Sequence, residues 1–376
     1  MKTIETITLP AASPGTNRAL TVIRYTSQGS TPGPKVYIQA GLHADEAPGY
    51  LVAHHLTTLL DQAEVKGEIV LVPAANPIGL SQWRDELLHG RFNFANSVNF
   101  NRSHLDLVEA VSRKVEGKLT DNPQENVTLI RSAFRECVAE TSPIDEAESL
   151  KKLLLSMACD ADIMLDLHCD HQALVHIYMG TPLWPAAQDL SAQMGADVTL
   201  LAENSGGNPF DEACSRIWWD LAAQFPDKPI PPACLSVTIE LRGIADTDPE
   251  MVSNDARNIF NFLQRRGIVS GTAPELPPLK NKATPLTGVD YVKAPSPGIV
   301  SFIKQPGEWL RKGDIIAEIV TPLPAEGEET VVALRTQTDG LMFTRSFDRF
   351  ARPGKILAKV AGKQPLRDDD ENLLTL

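Results

Sequence analysis

The stretch ADIMLDLHCD (161–170) sets the reading of the whole chain. It is an apolar run too short for a helix, ending in His168, with Asp166 two residues earlier on the same side. A strand apolar on both faces belongs in the interior of a parallel sheet. Working outward, KVYIQAG (35–41), GEIVLVPAAN (67–76) and CLSVTIEL (234–241) share this character. GYLVAHHLTTLLDQ (49–62), ENVTLIRSAFRECVAE (125–140), EAESLKKLLLSMA (146–158) and DPEMVSNDARNIFNFLQRR (248–266) have the length and period of amphipathic helices. Strands alternating with helices predict an α/β fold, with a mixed, largely parallel sheet flanked by helices. In such sheets functional groups gather beyond the carboxyl ends of the strands.

The pattern changes after about residue 270. SGTAPELPPLKNKATPLTG (270–288) is rich in Pro, Gly and Thr and reads as a linker or an ordered crossing segment. Beyond it, SPGIVSFIKQPGEWLRKGDIIAEIV (296–320) nearly repeats as TDGLMFTRSFDRFARPGKILAKV (338–360). Gly298 matches Gly340, and Asp314 to Ala317 match Lys355 to Ala358. Short β runs broken by Gly predict a small C-terminal all-β domain with pseudo-twofold symmetry. The division expected is a catalytic domain over 1–275 and a β domain over 286–365. The β pattern is similar to the biotinyl/lipoyl carrier fold, but no Lys lies between Asp314 and Arg335, so a carrier function is rejected. The tail RDDDENLLTL (367–376) is expected to be mobile.

The bulk composition sets limits. A chain of 376 residues, 43% hydrophobic and 22% charged, is an ordinary globular protein with room for two domains. Its formal charge of −13 argues against a nucleic-acid partner. The start, MKTIETITLP, has no long apolar run, so neither a signal peptide nor a membrane anchor is expected. Cys137, Cys159, Cys169, Cys214 and Cys234 are scattered and include no CxxC pair. They fit reduced thiols in a cytoplasmic protein.

Four stretches carry candidate chemistry. GLHADEAPG (41–49) sets His43 and Glu46 three apart between a strand and a helix. A borderline cation such as Zn²⁺ takes imidazole nitrogen and carboxylate oxygen together, with three protein ligands and an open position when catalytic. His168 could be a third ligand, oriented by Asp166, or a strand-end histidine satisfied by a backbone carbonyl. VTIELRG (237–243) puts Glu240 in an apolar strand, where a carboxylate is costly without a partner. That partner is either an activated water or Arg242, two residues on and on the same face. NPIGLSQWRDELLHGRFNFANSVNFNR (76–102) contains Arg84, Arg91 and the pair Asn101-Arg102. Arginine suits two-pronged carboxylate binding or oxyanion stabilisation.

In this order and spacing the motifs resemble the succinylglutamate desuccinylase/aspartoacylase family, within the zinc carboxypeptidase-like superfamily. The resemblance spans roughly residues 35–265, through His43-x-x-Glu46, Asn101-Arg102, His168 and Glu240. It implies a carboxypeptidase-like fold and one Zn²⁺ per chain held by His43, Glu46 and His168. Glu240 is then the catalytic general base and acid. Asn101 and Arg102 are expected to hold a substrate carboxylate. The oxyanion role is assigned to Arg91, because GRFNFANSVNFNR resembles the family's Gly-Arg stretch, with Arg84 as its rival and a further candidate for substrate binding. The C-terminal β domain also fits the deacylase branch.

The activity this implies is removal of an acyl group from a small N-acyl amino acid or related acyl-amine. A metallocarboxypeptidase is the alternative, separable because a peptidase needs an open groove and a deacylase is closed over by the β domain. A catalytically inactive binding protein is the reading from another class. The partner expected is a small N-acylated substrate bearing a carboxylate, with no nucleic acid or membrane, and homo-oligomer formation is compatible. His54 and His55 read as helix packing or surface residues, while His171 and His176 flank the third ligand and are weaker candidates. Residues 180–234 carry no recognisable motif and are expected to shape the acyl or amine pocket. Cys169 lacks a recognisable activating base.

Overall fold

A computed structural model describes residues 1–27, 29, 33–323, 327, 329–368 and 372–374. Its centre is a nine-stranded mixed sheet. Four adjacent strands, Glu68–Val72, Lys35–Ala40, Ile163–Asp170 and Leu235–Gly243, run parallel. Each was legible as an apolar run, because a central strand is buried on both faces and needs no polar alternation. Val175–Gly180 then runs antiparallel to Leu235–Gly243, followed by the parallel strand Val198–Ala202 and the two-residue edge Thr284–Pro285. A hairpin of Lys2–Thr8 and Ala19–Thr26 completes the opposite side.

Helices cover both faces. Pro48–Leu60, Trp184–Met194 and Pro249–Arg265 pack against one core that includes Val36, Ile38, Leu165 and Ile239. Val108–Val115, Pro123–Glu140, Glu146–Ala158 and Phe210–Gln224 pack against the other, around Tyr37, Met164 and Trp218. Pro249–Arg265 starts where the sequence signals it. Pro249 opens the helix, and the Asp248 carboxylate accepts from the Glu250 and Met251 N–H groups. The expected α/β class and its C-terminal all-β part are both present.

The C-terminal strands form two antiparallel sheets. Gly298–Phe302 pairs with Ile315–Val320, and its repeat mate Gly340–Arg345 pairs with Ile356–Gly362. The two-residue strand Trp309–Leu310 crosses to Gly340–Arg345, while Phe350–Ala351 crosses back to Gly298–Phe302. Each half of the near-repeat thus completes the other's sheet. The hairpin where a carrier lysine would stand includes residues 324–326 and 328, which lie outside the described ones.

These sheets are joined to the large one. Gln172–Ala173 pairs with Gly340–Arg345, and Leu200, Leu286, Leu341 and Phe343 share a buried cluster. The segment after residue 270 is an ordered crossing. Lys280 pairs with Asp197 at 3.0 Å, and Thr284–Pro285 joins the sheet edge. The tail departs from expectation in its described part. Leu373 is buried and its N–H donates to the Ser205 carbonyl at 2.8 Å, because a leucine finds apolar cover against Leu286 and Phe343. Residues 369–371, 375 and 376 lie outside the described ones.

Phe343 is fully buried where the two parts meet. Phe343→Ala is expected to destabilise the protein by about 3–5 kcal/mol in denaturant unfolding. A change below about 1 kcal/mol would mean that the junction does not contribute as a packed core.

Candidate active site

Tertiary folding brings His43, Glu46 and His168 together, with a donor atom of each lying within 4.8 Å of the others. His43 and Glu46 sit on the turn leaving Lys35–Ala40. That turn begins at Gly41, whose φ of 72° would strain any other residue and whose absent Cβ leaves room for the Tyr50 ring. His168 lies near the end of the neighbouring parallel strand.

Glu46 is the hub of this arrangement. Its Oε1 lies 2.9 Å from His43 Nδ1, and its Oε2 lies 2.9 Å from His168 Nδ1. The Cys169 N–H donates to Oε2 at 2.9 Å, and Arg91 Nη1 donates to Oε1 at 3.1 Å. Arg91 is delivered there because the Gly90 carbonyl accepts from the Ala44 N–H. A Cβ at Gly90 would stand 2.2 Å from the Asp45 nitrogen, so no side chain fits at that approach.

Both imidazoles are oriented from behind. His43 Nε2 lies 2.7 Å from Asn99 Oδ1, which accepts its proton and leaves Nδ1 with a lone pair. His168 Nε2 stands 3.0 Å from Asp166 Oδ2 and 3.3 Å from Asn101 Nδ2. Asp166 is itself held by Gln39 Nε2 at 3.0 Å, and Tyr37 donates to Gln39 in turn. Two imidazole Nδ1 atoms and a carboxylate, converging in a buried pocket, form a donor set that Zn²⁺ accepts once the histidines are deprotonated; against the effect of burial, the Asp166 and Glu46 carboxylates raise the His168 pKa. Burial, together with the Arg91 charge, lowers the His43 pKa to about 4, so the imidazole is neutral and able to ligate at neutral pH.

Glu240 stands abreast of His168 on the adjoining parallel strand. Its Oε2 is buried and, among the described residues, has no hydrogen-bond partner. Burial first, and then the Glu46 charge, push its pKa up to about 8. An ion pair with Arg242 is not what satisfies it. The strand irregularity after Glu240 puts Arg242 at φ 75°, and its guanidinium turns to the buried Asp255 of Pro249–Arg265.

One cavity is bordered by His43, Arg91, Arg102, His168 and Glu240. Arg102 Nη1 donates to the Asn101 carbonyl at 2.7 Å. Asn101 also borders the cavity, but its side chain is engaged, with Oδ1 accepting from the Phe210 N–H at 2.8 Å. Arg84 is not brought to the cavity. It lies 76% exposed beside Asp85 on the small hairpin of Trp83–Arg84 and Leu87–Leu88.

The remaining candidates fall outside the cluster. His171 packs edge-on against Phe347 and His176 against Phe343, with His176 Nδ1 donating to the Leu174 carbonyl. His54 and His55 lie on the helix surface, and the Cys169 thiol is buried with its pKa raised by that burial.

Several residues of the site were not legible in sequence. Asn99 is one of many asparagines in its loop, with no spacing signal to distinguish it. Leu286, Tyr291, Lys359 and Leu374 reach the cavity from the C-terminal part, and Ser205, Asp211 and Glu212 from the region without motifs. Lys359 is paired with Asp170, two residues after His168.

A histidine–glutamate–histidine cluster and a separate buried carboxylate beside one cavity are the features of an α/β enzyme. Residues 32–266 match the succinylglutamate desuccinylase/aspartoacylase catalytic domain. The chain belongs to that family, and its class of activity is hydrolysis of an N-acyl amide. It is 23% identical to the N-alpha-acetyl-L-2,4-diaminobutyric acid deacetylase of Halomonas elongata over 88% of this chain and 82% of that protein. Among solved structures it is similar to a succinylglutamate desuccinylase/aspartoacylase family protein from Shewanella amazonensis SB2B. That similarity has 28% identity and a TM-score of 0.84, over 96% of this chain and 99% of the other. A succinylglutamate desuccinylase/aspartoacylase from Shewanella frigidimarina is 25% identical with a TM-score of 0.84, over 97% and 99% of the two chains.

Removing Arg242 leaves Asp255 as an unpaired carboxylate in the core. Arg242→Met is expected to lower stability by about 3–5 kcal/mol in urea unfolding. Restored stability in the Arg242→Met/Asp255→Leu double variant would locate the loss in that pair.

Proposed function

We propose that the protein is a zinc-dependent deacylase that hydrolyses a small N-acyl amino acid or related acyl-amine. The observation that carries the reading is Glu240 Oε2, without a hydrogen-bond partner among the described residues, bordering the same cavity as His43 and His168 of the His43–Glu46–His168 cluster. His43, Glu46 and His168 would hold one Zn²⁺ per chain, the two histidines through Nδ1. When bound, the ion supplies Lewis acidity toward water and the amide carbonyl.

The chain's own residues do the rest. Glu240 accepts a proton from the attacking water and returns it to the leaving nitrogen. Its raised pKa suits it to hold the proton that it returns to the leaving nitrogen. Arg91, at the cavity wall beside Glu46, faces the negative charge that develops on the carbonyl oxygen. Arg102 holds the substrate carboxylate. Asn101 acts as a positioning residue, because its backbone N–H donates to Asn99 Oδ1, the acceptor beside His43 Nε2, while its own Oδ1 holds the start of Phe210–Gln224. Arg91 takes the oxyanion role in preference to Arg84, which stands on the exposed hairpin.

A small substrate is favoured over a peptide by what covers the cavity. Tyr291, Lys359, Leu286 and Leu374 of the C-terminal part border it. A carboxypeptidase needs an open groove for the chain leading to the scissile bond.

Metal content and hydrolysis measured together test the proposal, using N-acetyl, N-succinyl and N-formyl amino acids alongside dipeptides. One zinc per chain is expected in the native protein and none in His168→Ala. Glu240→Gln should keep the zinc while kcat falls roughly 100- to 10,000-fold. Absence of any bound divalent ion, or full activity in Glu240→Gln, would sink the proposal. Asn99→Ala should weaken zinc affinity about 10- to 100-fold in a chelator competition, since His43 loses its orienting acceptor.

A further inference from the structure

From the edge of the cavity where the large sheet meets the C-terminal part, we infer that the amine half of the substrate carries an apolar side chain. This rests on the deacylase reading and deepens it: the substrate class is an N-acyl derivative of an amino acid with a hydrocarbon side chain.

Leu200, Leu286, Leu341, Phe343 and Leu373 belong to the buried cluster that joins the two parts. Among the described residues, five further apolar or aromatic side chains pack against it and are only partly buried. Four of these five, Tyr178, Ala202, Tyr291 and Leu374, border the cavity, and so do Leu200 and Leu286. The cluster is therefore packed on its inner sides and open toward the cavity. A ligand that covers this edge with apolar surface of its own removes both surfaces from water.

Leu374 is held at this edge by backbone contacts. The Leu373 and Leu374 N–H groups donate to the Ser205 carbonyl at 2.8 and 3.3 Å, and Arg367 Nη1 donates to the Leu373 carbonyl at 3.4 Å. The loop that receives them lies close, since a Cβ at Gly206 would stand 2.2 Å from Asn372 Oδ1. The same loop meets Arg102. A Cβ at Gly207 would stand 2.8 Å from Arg102 Cδ, and the Ser103 N–H donates to the Gly207 carbonyl at 2.6 Å. Residues 205–207 thus connect the apolar edge to the arginine that the reading above gives to the substrate carboxylate. In an N-acyl amino acid the carboxylate and the side chain leave the same carbon. A carboxylate on Arg102 therefore sends the side chain to the neighbouring wall, which assigns the apolar edge to the amine half.

Polar groups at this edge are the main competing consideration. Lys359 is held by Asp170, and the Arg367 guanidinium lies 4.5 Å from the centroid of the Tyr291 ring. The Tyr291 hydroxyl has no hydrogen-bond partner among the described residues, which makes a hydroxyl-bearing side chain the rival to exclude. A wall that merely keeps water out is the other rival, since ligand cavities are commonly apolar. Such a wall would not distinguish a long hydrocarbon side chain from a methyl group.

The test uses the zinc-loaded full chain and kcat/KM for Nα-acetyl amino acids. Norvaline and leucine derivatives are compared with those of alanine, homoserine, glutamate and 2,4-diaminobutyrate. Norvaline and homoserine are nearly the same size, so their ratio reads polarity alone. The better of the two hydrocarbon derivatives should be preferred about ten-fold or more over alanine, as two buried methylenes imply, and over each polar derivative. In Leu374→Ser the norvaline-to-alanine ratio should shrink about three-fold or more. That ratio is read within one preparation, so any loss of folded protein cancels. Equal or better hydrolysis of the alanine, homoserine, glutamate or diaminobutyrate derivative overturns the inference and leaves the deacylase reading intact. An unchanged ratio in Leu374→Ser also overturns it, and so does a larger gain from N-acetyl-glycine to N-hexanoyl-glycine, whose hydrocarbon chain lies on the acyl half. If no derivative is hydrolysed, the deacylase reading falls and calorimetry decides the subsite. Tighter binding of N-acetyl-norvaline than of N-acetyl-homoserine by about ten-fold would then support it, and equal binding would overturn it.

Discussion

The carboxylate of Glu46 is buried between two imidazoles, with a guanidinium and a backbone N–H at its flanks. A charge in that position is costly unless every lone pair is met, and the demands of Glu46 run through the surrounding structure. The turn that carries it depends on Gly41. The loop that brings Arg91 depends on Gly90, which allows backbone to meet backbone without a side chain between. The strand that carries His168 also supplies the Cys169 N–H. One residue therefore ties together three segments far apart in the chain, and it does so at the carboxyl ends of the parallel strands.

The sheet beneath supplies the second layer. Parallel strands in register place Gln39 beside Asp166 and His168 beside Glu240 on one face. Polar groups in an otherwise apolar sheet are tolerated because they satisfy one another, from Tyr37 through Gln39 and Asp166 toward His168. Glu240 is the member whose Oε2 has no such partner among the described residues. A buried carboxyl group with a raised pKa, abreast of His168, is suited to proton exchange. Arg242, the obvious local partner, is turned away by the left-handed backbone at its own position and engaged by Asp255.

The C-terminal sheets have a different role from the one their carrier-like pattern suggests. They share a buried cluster with the large sheet and contribute Lys359 and Tyr291 to the cavity border. Their symmetry follows from exchange of two short strands between the halves. Contact with the large sheet runs through Gly340–Arg345 and its buried neighbours, which brings part of the repeat to the cavity.

Much of this was legible from residue order alone. Central parallel strands are apolar on both faces, so Lys35–Ala40, Glu68–Val72, Ile163–Asp170 and Leu235–Gly243 declared themselves as runs, and the α/β class followed. Helix periods marked Pro48–Leu60 and Pro249–Arg265 for the same reason, since one face must be apolar. His168 and Glu240 stood out because each interrupts or ends an apolar strand, whereas His43-x-x-Glu46 and Asn101-Arg102 took their weight from the order of the motifs along the chain. The sequence could not separate Arg84 from Arg91, because that choice depends on which loop meets the Ala44 backbone. Nor could it find Asn99, Ser205, Asp211, Glu212 or Lys359. Those residues sit in unremarkable local contexts, and only the packing of distant segments against one cavity makes them neighbours. Local pattern determines which elements form and which side chains are out of place in them, whereas contacts between segments hundreds of residues apart are decided by the fold as a whole.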